Sequence, residues 1–320
     1  MLSAAGLPRR RPAREAVTLN RLNQRPWLRV TPAYRALDFT FSVRMAGDDV
    51  ADYVERLFAP FETAQLTTAP FDAVGPVHHR YSIVDDGPRF TNRYALYFDG
   101  QPITRTPYEP LAVAFLLWHL NIAVVAESGR YLLLHAAAAS YNGSAILLPA
   151  AKESGKTTLV ARLVQRGCGY LTDEATAIDP VSLAVDPYAK PLAIEEGSWG
   201  VLADLRPDLE DRFLPYTREQ WHVTPDSIRP GAISEACPPR VIVSPHYEAG
   251  ARTTVEEISR AQAVLLMAEN AFNFQSHKAD GLETLAEVAS GCECFRITIG
   301  PHDDGSADVM GILERIGATV

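Results

Sequence analysis

The pattern of apolar and polar positions is most informative in the middle of the chain. Four consecutive apolar residues, Ala145 to Leu148, predict a buried strand. Apolar residues then recur at helical spacing from Thr157 to Val164, and Gly167 marks the end of the predicted helix. A second strand, predicted from Tyr170 to Ile178, carries the acidic pair Asp173-Glu174. This order of strand, loop, helix and strand predicts an α/β domain built around the loop.

The flanking segments predict further strands and helices. Asn142-Gly143 is expected to turn a hairpin between strands at 131–141 and 144–148, and Asp99-Gly100 is a second hairpin signal. On the N-terminal side we predict a half-buried strand at 37–43, strands at 78–84, 93–98 and 101–104, and a helix at 50–58 capped by Asp48 or Asp49. On the C-terminal side we predict strands at 181–185, 240–243, 254–258 and 294–299, and helices at 259–270, 281–290 and 309–316. Residues 202–224 carry no regular pattern.

One further segment, Leu111 to Ala126, is apolar on nearly every side. It is shorter than the ~20 residues that a membrane span needs, so we predict a buried helix and no association with a membrane. His119 within it is interpreted as a core histidine.

These patterns divide the chain into three parts. Residues 1–28 are basic and poor in apolar side chains, which predicts a disordered tail, with a basic docking arm as the alternative. Residues 29–126 predict a small α+β domain whose buried helix packs between the two halves of the protein. Residues 127–320 predict the α/β domain.

Composition narrows the class of partner and the compartment. The net charge of -9 and the pI near 5.4 argue against nucleic acid as the main partner. No long apolar core follows the basic start, so we predict no secretory signal. The four cysteines, Cys168, Cys237, Cys292 and Cys294, are interpreted as reduced thiols of a cytoplasmic protein. His78 and His79 are neighbours on a predicted strand and face opposite sides, which disfavours a metal site.

The loop from Ala150 to Thr157 carries the candidate chemistry. It reads Ala-Ala-Lys-Glu-Ser-Gly-Lys-Thr, a form of the phosphate-binding (Walker A) loop, in which backbone N–H groups and a helix N-terminus bind phosphate. We expect Lys156 to bind the β- and γ-phosphates of ATP, Thr157 to bind Mg²⁺, and Gly155 to allow close backbone approach. Glu153 repels a triphosphate unless it points outward. The predicted nucleotide-binding residues are Ala150, Ala151, Lys152, Glu153, Ser154, Gly155, Lys156, Thr157 and Thr158.

Four features in this order resemble the catalytic core of HPr kinase/phosphorylase and its relatives. They are His135-Ala-Ala-Ala, the loop, the helix end Leu163-Val-Gln-Arg-Gly167, and the pair Asp173-Glu174. The chain departs from the family pattern because Ala150 and Glu153 replace loop glycines and because the acidic pair is Asp-Glu rather than Asp-Asp. The segment 245–250 and the helix from Ser259 also resemble HPr-kinase-like proteins of peptide-modification clusters, some of which phosphorylate the tail of a lasso-peptide precursor.

The resemblance implies a P-loop, HPr-kinase-type domain that transfers the γ-phosphoryl group of ATP to a serine hydroxyl with Mg²⁺. It implies that Asp173 is the catalytic base and that Glu174, with Thr157, completes the metal shell. These two acidic roles could be exchanged, because neighbours on a strand point to opposite faces. His135 would lie near the acceptor or the γ-phosphate, with a buried strand histidine as the alternative. Relatives with this core often form rings or dimers, so a homo-oligomer is compatible with the resemblance.

Three functions stay open at this point: a kinase for serine in a peptide or protein, a kinase for a small molecule such as free serine, and a nucleotide-binding switch or ATPase of a modification complex. Two downstream loops bear on the site. Lys190, in the proline-bounded loop 187–192, is either a cation that neutralises phosphate charge or a solvated lysine. The segment 195–200, in which glycines flank Trp199, predicts a mobile lid or a substrate loop, because the aromatic side chain could cover a ligand.

Overall fold

The structure is a computed structural model that describes residues 20–48, 50–62, 78–209, 220–301 and 303–317. Within these residues the chain is a mixed α/β protein with two compact units. The first unit comprises the described residues of Met1–Arg35, Phe39–Arg56 and Glu62–Leu120, and the second those of Ala36–Asp38, Leu57–Phe61 and Asn121–Val320. The predicted tail at 1–19 and the capping role of Asp49 lie outside the described residues.

The described part of the first unit contains a six-stranded sheet of order β1-β3-β4-β5-β6, with β2 paired to β3. The elements are β1 (Arg29–Val30), β2 (Tyr34–Ala36), β3 (Phe39–Met45), α1 (Ala51–Phe58), β4 (His78–Asp85), β5 (Tyr94–Phe98) and β6 (Gln101–Thr106). The β5–β6 turn at Asp99-Gly100 is confirmed, with positive φ angles of 47° and 80°. The strand predicted at 37–43 starts later, because Leu37 adopts a φ of 55° in a turn. β3 is nearly all buried rather than half-buried, as expected of an interior strand paired in parallel with β4.

Residues 20–28 are folded rather than part of a tail. Leu22 is buried with Val84 and Ala95, and the Trp27 indole N–H donates a hydrogen bond to the Leu22 carbonyl. The Arg44 guanidinium stacks over the Trp27 ring at 4.5 Å. The apolar positions Leu22 and Trp27 are too few to reveal this packing from the sequence pattern.

The long apolar helix α2 spans Glu109–Glu127 and is longer than predicted, at 19 residues. By length and a mean hydropathy of 1.6 it could cross a membrane, so the argument from its shortness was wrong. Half of its apolar window is buried, and core helices of globular proteins pass the same test. The helix is not buried on every side, since Phe115 and Trp118 are 40% and 54% exposed. Its His119 Nδ1 lies 2.8 Å from the Tyr81 hydroxyl, as expected of a structural histidine.

The second unit is organised around an eight-stranded sheet in the described residues, of order β11-β10-β7-β8-β14-β16-β15, with β9 also paired to β7. The three inner strands β8, β14 and β16 are mutually parallel, and the rest are antiparallel. The strands are β7 (Leu132–Tyr141), β8 (Ser144–Pro149), β9 (Gly169–Thr172), β10 (Ala175–Ile178), β11 (Val185–Asp186), β14 (Pro239–Tyr247), β15 (Thr254–Glu257) and β16 (Glu293–Ile299). A separate two-stranded sheet joins β12 (Leu192–Glu195) to β13 (Gln220–Val223).

Helices cover both faces of the large sheet. Alternate side chains on β8 point to opposite faces and show which helices pack on each. Ile146 and Leu148 face a cluster with α3 (Lys156–Gln165) and α7 (Ser306–Gly317). Ala145 and Leu147 face a second cluster with α5 (Arg260–Glu269) and α6 (Phe274–Ser290). Helices α3 and α7 thus form one layer, and the pair α5 and α6 forms the other.

Several predictions for the second unit are corrected. Residues 181–184 form a turn instead of a strand, in which Asp179 accepts hydrogen bonds from two backbone N–H groups, and only Val185–Asp186 pair. β14 continues through Pro245 to Tyr247 and keeps its parallel pairing with β16. α6 begins at Phe274, with a break in helical geometry at Lys278. Residues 202–224 had no predicted element, yet β13 forms near their end, and the short helix α4 (Pro225–Ile228) follows them; residues 210–219 are outside the described part. The Asn142-Gly143 hairpin and the Ser259 cap of α5 are confirmed.

Candidate functional site

The loop between β8 and α3 has the backbone geometry of an anion site. Gly155 caps α3 with φ 92° and ψ 8°, and Glu153 is also left-handed at φ 64°. A Cβ added to Gly155 would meet no atom within 4 Å, so glycine is needed here for its backbone angle and not for space. Among the described residues no side chain caps the helix start. The first N–H groups of any helix have no intrahelical acceptor, and in α3 no described side chain takes that place. They are therefore suited to an anion.

Lys156 folds back over this loop. Its Nζ donates hydrogen bonds to the carbonyl oxygens of Ala150 (2.8 Å) and Ala151 (2.6 Å) and lies 3.3 Å from His135 Nε2. Burial lowers the pKa of Lys156 to about 8, against an opposing effect of the Glu174 and Asp173 charges. The ammonium thus has neutral partners in its own loop, while two carboxylates lie near enough to act on its charge.

The other loop residues divide between solvent and interior. Lys152 and Glu153 are exposed, and they pair with each other at 3.7 Å. Glu153 therefore points outward, which meets the condition that a bound triphosphate imposes. Ser154 is buried, and Thr157 and Thr158 are half-buried on the first turn of α3. The Thr158 hydroxyl lies 2.8 Å from the Ser198 hydroxyl.

The acidic pair lies in a gap between β9 and β10 and not within one strand. Both strands pair with β7, and the pairs that flank the gap, Thr172 with Ala138 and Ala175 with His135, share one register, although β9 shifts register beyond Ala138. Between them the Ala136 N–H still donates to the Glu174 carbonyl. Because β7 also pairs with the end of β8, His135 and the acidic pair reach the level at which the loop begins.

Lys190 is the cation of the acidic pair. Its Nζ lies 2.7 Å from Asp173 Oδ1 and 3.3 Å from Glu174 Oε2, and it also donates to the Pro191 carbonyl at 3.3 Å. The side chain is only 7% exposed, so the interpretation as a solvated lysine was wrong. Burial lowers the pKa of Lys190, but the two carboxylates outweigh it and the pKa is raised. The two neighbouring carboxylates converge on one cation, contrary to the alternation expected within a strand.

The two carboxylates differ in access. Asp173 is 2% exposed, and its Oδ1 also accepts a hydrogen bond from the Tyr170 hydroxyl at 3.0 Å. Its Oδ2 accepts one from the Ala193 N–H at 3.1 Å. Glu174 is 30% exposed. Asp173 is thus the more firmly oriented carboxylate and Glu174 the more accessible one.

His135 lies between the loop lysine and the acidic pair. Burial and the Lys156 charge lower its pKa to about 4, so the imidazole is neutral at physiological pH. A neutral ring lets Nε2 accept a hydrogen bond from the Lys156 ammonium at the 3.3 Å contact. Its backbone N–H donates to the Asn270 carbonyl, and the ring packs edge-on against Phe272 at 5.5 Å.

Three buried polar atoms of this region have no hydrogen-bond partner among the described residues: Ser154 Oγ, His135 Nδ1 and Tyr188 Oη. Burial, then the charges of Glu174 and Asp173, raise the pKa of Tyr188 well above its ordinary value, so its hydroxyl keeps the proton. Buried polar groups normally have partners, so these atoms are candidates for contact with a ligand.

The predicted lid is held in place. The Trp199 ring stacks on Trp221 with centroids 5.0 Å apart, and its indole N–H donates to the Ile194 carbonyl. Residues 196–198 form a 3-10 turn joined to α3 through Ser198. Trp199 therefore packs on the small β12–β13 sheet and is not an aromatic side chain poised to cover a ligand.

A metal ion fits the residues present only together with other ligands. Within the described residues, His, Cys, Asp and Glu side chains form no group of three or more that could hold a metal. The acidic pair and the Thr157 hydroxyl are hard oxygen donors, which Mg²⁺ prefers, and Mg²⁺ is often held by one or two carboxylates together with substrate phosphates. These donors suit Mg²⁺ carried by a nucleotide better than a metal held by protein alone.

Sequence reasoning missed Tyr170, Tyr188 and Ala193 and left Lys190 undecided. The one available signal was the segment Pro187-Tyr-Ala-Lys-Pro191, in which two prolines restrict a lysine near an aromatic residue.

No protein-family model matches this chain, and no curated protein is significantly similar to it.

Proposed function

We propose that this protein is a P-loop kinase of the HPr-kinase type that transfers the γ-phosphoryl group of ATP to a serine hydroxyl of a peptide or protein. The observation that carries the proposal is the start of α3, which has no side-chain cap among the described residues and begins with the buried Lys156. The carboxylates of Asp173 and Glu174 lie close enough to act on the charge of this lysine. The outward position of Glu153 supports it, because the loop then presents no carboxylate to the phosphates.

In this proposal each residue has a defined task. Lys156 and the loop N–H groups hold the β- and γ-phosphates. The donors for Mg²⁺ are Thr157 and Glu174, and Mg²⁺, when bound, neutralises charge that develops on the phosphate oxygens. His135 stays neutral and orients the Lys156 ammonium.

Asp173 is the proposed base. Its Oδ1 already accepts from Lys190 and Tyr170, whereas Oδ2 accepts from the Ala193 N–H alone among the described residues. Oδ2 is therefore the oxygen that takes the proton of the acceptor hydroxyl. The hydroxyl oxygen bonds to the γ-phosphorus as the bond to the β–γ bridging oxygen breaks, and ADP leaves.

A second candidate is a nucleotide-binding switch or ATPase without phosphotransfer. The burial of Asp173 and its three donors favour it, because such a carboxylate is poorly accessible to an acceptor hydroxyl. A small-molecule kinase with the same chemistry is the third candidate.

A cytoplasmic location is part of the proposal, in keeping with four buried free thiols. The proposal also includes no nucleic-acid partner, because the chain is acidic.

Measurement of ADP release with serine-containing peptides, with free serine and without an acceptor separates these functions. Turnover stimulated only by serine-containing peptides supports the proposal, and turnover with free serine supports the small-molecule kinase. Nucleotide binding without stimulation by any acceptor supports the switch. Lys156→Met is expected to abolish turnover, while the control Lys278→Met, at an exposed lysine of α6 outside the loop, is expected to retain it. Full turnover in Lys156→Met would contradict the assignment of the loop.

A further inference from the structure

The most unusual contact outside the loop is the buried ammonium of Lys190 between two consecutive carboxylates. Its three donor directions are used by Asp173 Oδ1, Glu174 Oε2 and the Pro191 carbonyl. Lysine is rarely buried unless it is paired, so this side chain is retained by the acidic pair. Its own backbone carbonyl also accepts from the Tyr170 hydroxyl that orients Asp173.

The charges of this cluster bear on metal binding. Two carboxylates and one ammonium leave a single negative charge, which is a weak attraction for a divalent ion. The ammonium occupies the side of Asp173 Oδ1 and Glu174 Oε2 on which a cation shared by both carboxylates would lie. A divalent ion there must displace the ammonium or bind beside it against the repulsion of like charges.

We propose that the Lys190 ammonium stands between Asp173 and Glu174 in place of a divalent cation, so that the metal enters the site only with a nucleotide. The nucleotide's phosphates supply the ligands and the negative charge that the neutralised acidic pair lacks. This inference rests on the proposed function, because it takes Glu174, beside the proposed base Asp173, to be a donor to the metal that the nucleotide carries. Lys190 is then a positioning residue that sets the order of binding.

Binding of Mn²⁺ without nucleotide or acceptor tests the inference. The loss of the EPR signal of aqueous Mn²⁺ measures this binding. Lys190→Met exposes two unneutralised carboxylates and is expected to bind Mn²⁺ at least about tenfold more tightly than wild type. Lys190→Arg, which keeps the positive charge, and the control Lys278→Met, at an exposed lysine of α6, are expected to match wild type. When a non-hydrolysable ATP analogue is added, wild type is expected to bind the Mn²⁺ complex of the analogue tightly, measured against the same mixture without protein.

Wild-type affinity for Mn²⁺ in a folded Lys190→Met protein would overturn the inference. If Lys190→Met is unfolded without metal, Mg²⁺ is expected to restore its circular dichroism spectrum by replacing the lost charge. A variant that stays unfolded with and without Mg²⁺ would also overturn it. Because this assay contains no phosphoryl transfer, unchanged Mn²⁺ affinity in an enzyme that still turns over would reject the role of Lys190 alone. Tighter Mn²⁺ binding in a protein without kinase activity would reject only the proposed function.

Discussion

Two buried lysines in the second unit differ in the partners that their ammonium groups contact. Lys156 contacts two backbone carbonyls and an imidazole, all neutral, and burial lowers its pKa to about 8. Lys190 contacts two carboxylates that keep its pKa raised despite burial. A phosphate brings Lys156 the anionic partner that it lacks, whereas Lys190 already has its anions. In the proposed function, Lys156 therefore binds phosphate and Lys190 controls the acidic pair.

The lowered pKa of Lys156 predicts that nucleotide affinity depends on pH. Lys156 is charged below pH about 8 and neutral above it, and only the charged form attracts phosphate. His135, with a pKa of about 4, does not titrate in this range. Affinity for a non-hydrolysable ATP analogue should fall toward ~10-fold per pH unit above that pKa. Calorimetric titrations between pH 7.5 and 10 at constant ionic strength check this, and a constant affinity would contradict it.

Loss of one carboxylate should affect stability and turnover unequally in the acidic pair. Asp173→Asn leaves the Lys190 ammonium buried with a weaker partner and is expected to reduce the free energy of unfolding by about 3 kcal/mol. Glu174→Gln should cost much less, because Glu174 is partly exposed and lies farther from Lys190. Urea unfolding of the two variants measures the difference. Asp173→Asn should also keep nucleotide binding and lose most turnover.

Equal loss of nucleotide binding and turnover in Asp173→Asn would make Asp173 a metal ligand instead of the base. Equal destabilisation by the two substitutions would show that Lys190 does not depend mainly on Asp173.

At the scale of elements, the loop and the gap between β9 and β10 are positioned by β7. This strand pairs with β8 on one edge and with β9 and β10 on the other. The end of β8 and the gap therefore flank His135, and the chain needs no long-range loop to bring them together. The left-handed angle at Gly155 then turns the chain into α3.

Substitution of Gly155 should disrupt this turn. Gly155→Ala places a Cβ at φ 92° and is expected to reduce the free energy of unfolding by about 1–2 kcal/mol and to weaken nucleotide binding. Gly311→Ala, inside α7 where an added Cβ meets no atom within 4 Å, is the control and should be stabilising. Thermal unfolding and calorimetric binding of both variants check the prediction. A Gly155→Ala protein with wild-type affinity would show that the loop does not need this backbone angle.

At the scale of the whole molecule, the cores of the described chain bury every thiol. Burial raises the pKa of Cys168 and Cys237 to about 11 and of Cys292 to about 12, and Cys294 shifts in the same direction. All four are free and buried. Such thiols carry little thiolate at neutral pH and are shielded from reagents.

The native protein should therefore react slowly with Ellman's reagent at pH 8, and four thiols should titrate rapidly in guanidinium chloride. Rapid reaction of one thiol or more in the native state would contradict the described packing. Fewer than four reactive thiols after denaturation without reductant would show that a disulfide had formed.

The sequence predicted the elements that depend on local signals. The β7–β8 hairpin follows from Asn142-Gly143, and the end of α3 follows from Gly167, whose φ is 103°. The predicted strand at 170–178 is interrupted where Asp173 and Glu174 turn toward Lys190, which lies in a later loop of the chain. That contact, the stacking of Trp199 on Trp221 and the exposed side of α2 depend on tertiary packing, which local periodicity does not encode. The assignment of kinase chemistry and of the acceptor stays a prediction.

The most direct measurement is a crystal structure of the full chain with Mg²⁺ and a non-hydrolysable ATP analogue. We expect the β- and γ-phosphates to lie in the loop between Ala150 and Thr157, with Lys156 Nζ moved from the Ala150 and Ala151 carbonyls onto phosphate oxygens. Phosphates bound elsewhere, with Lys156 still on its own loop, would contradict it.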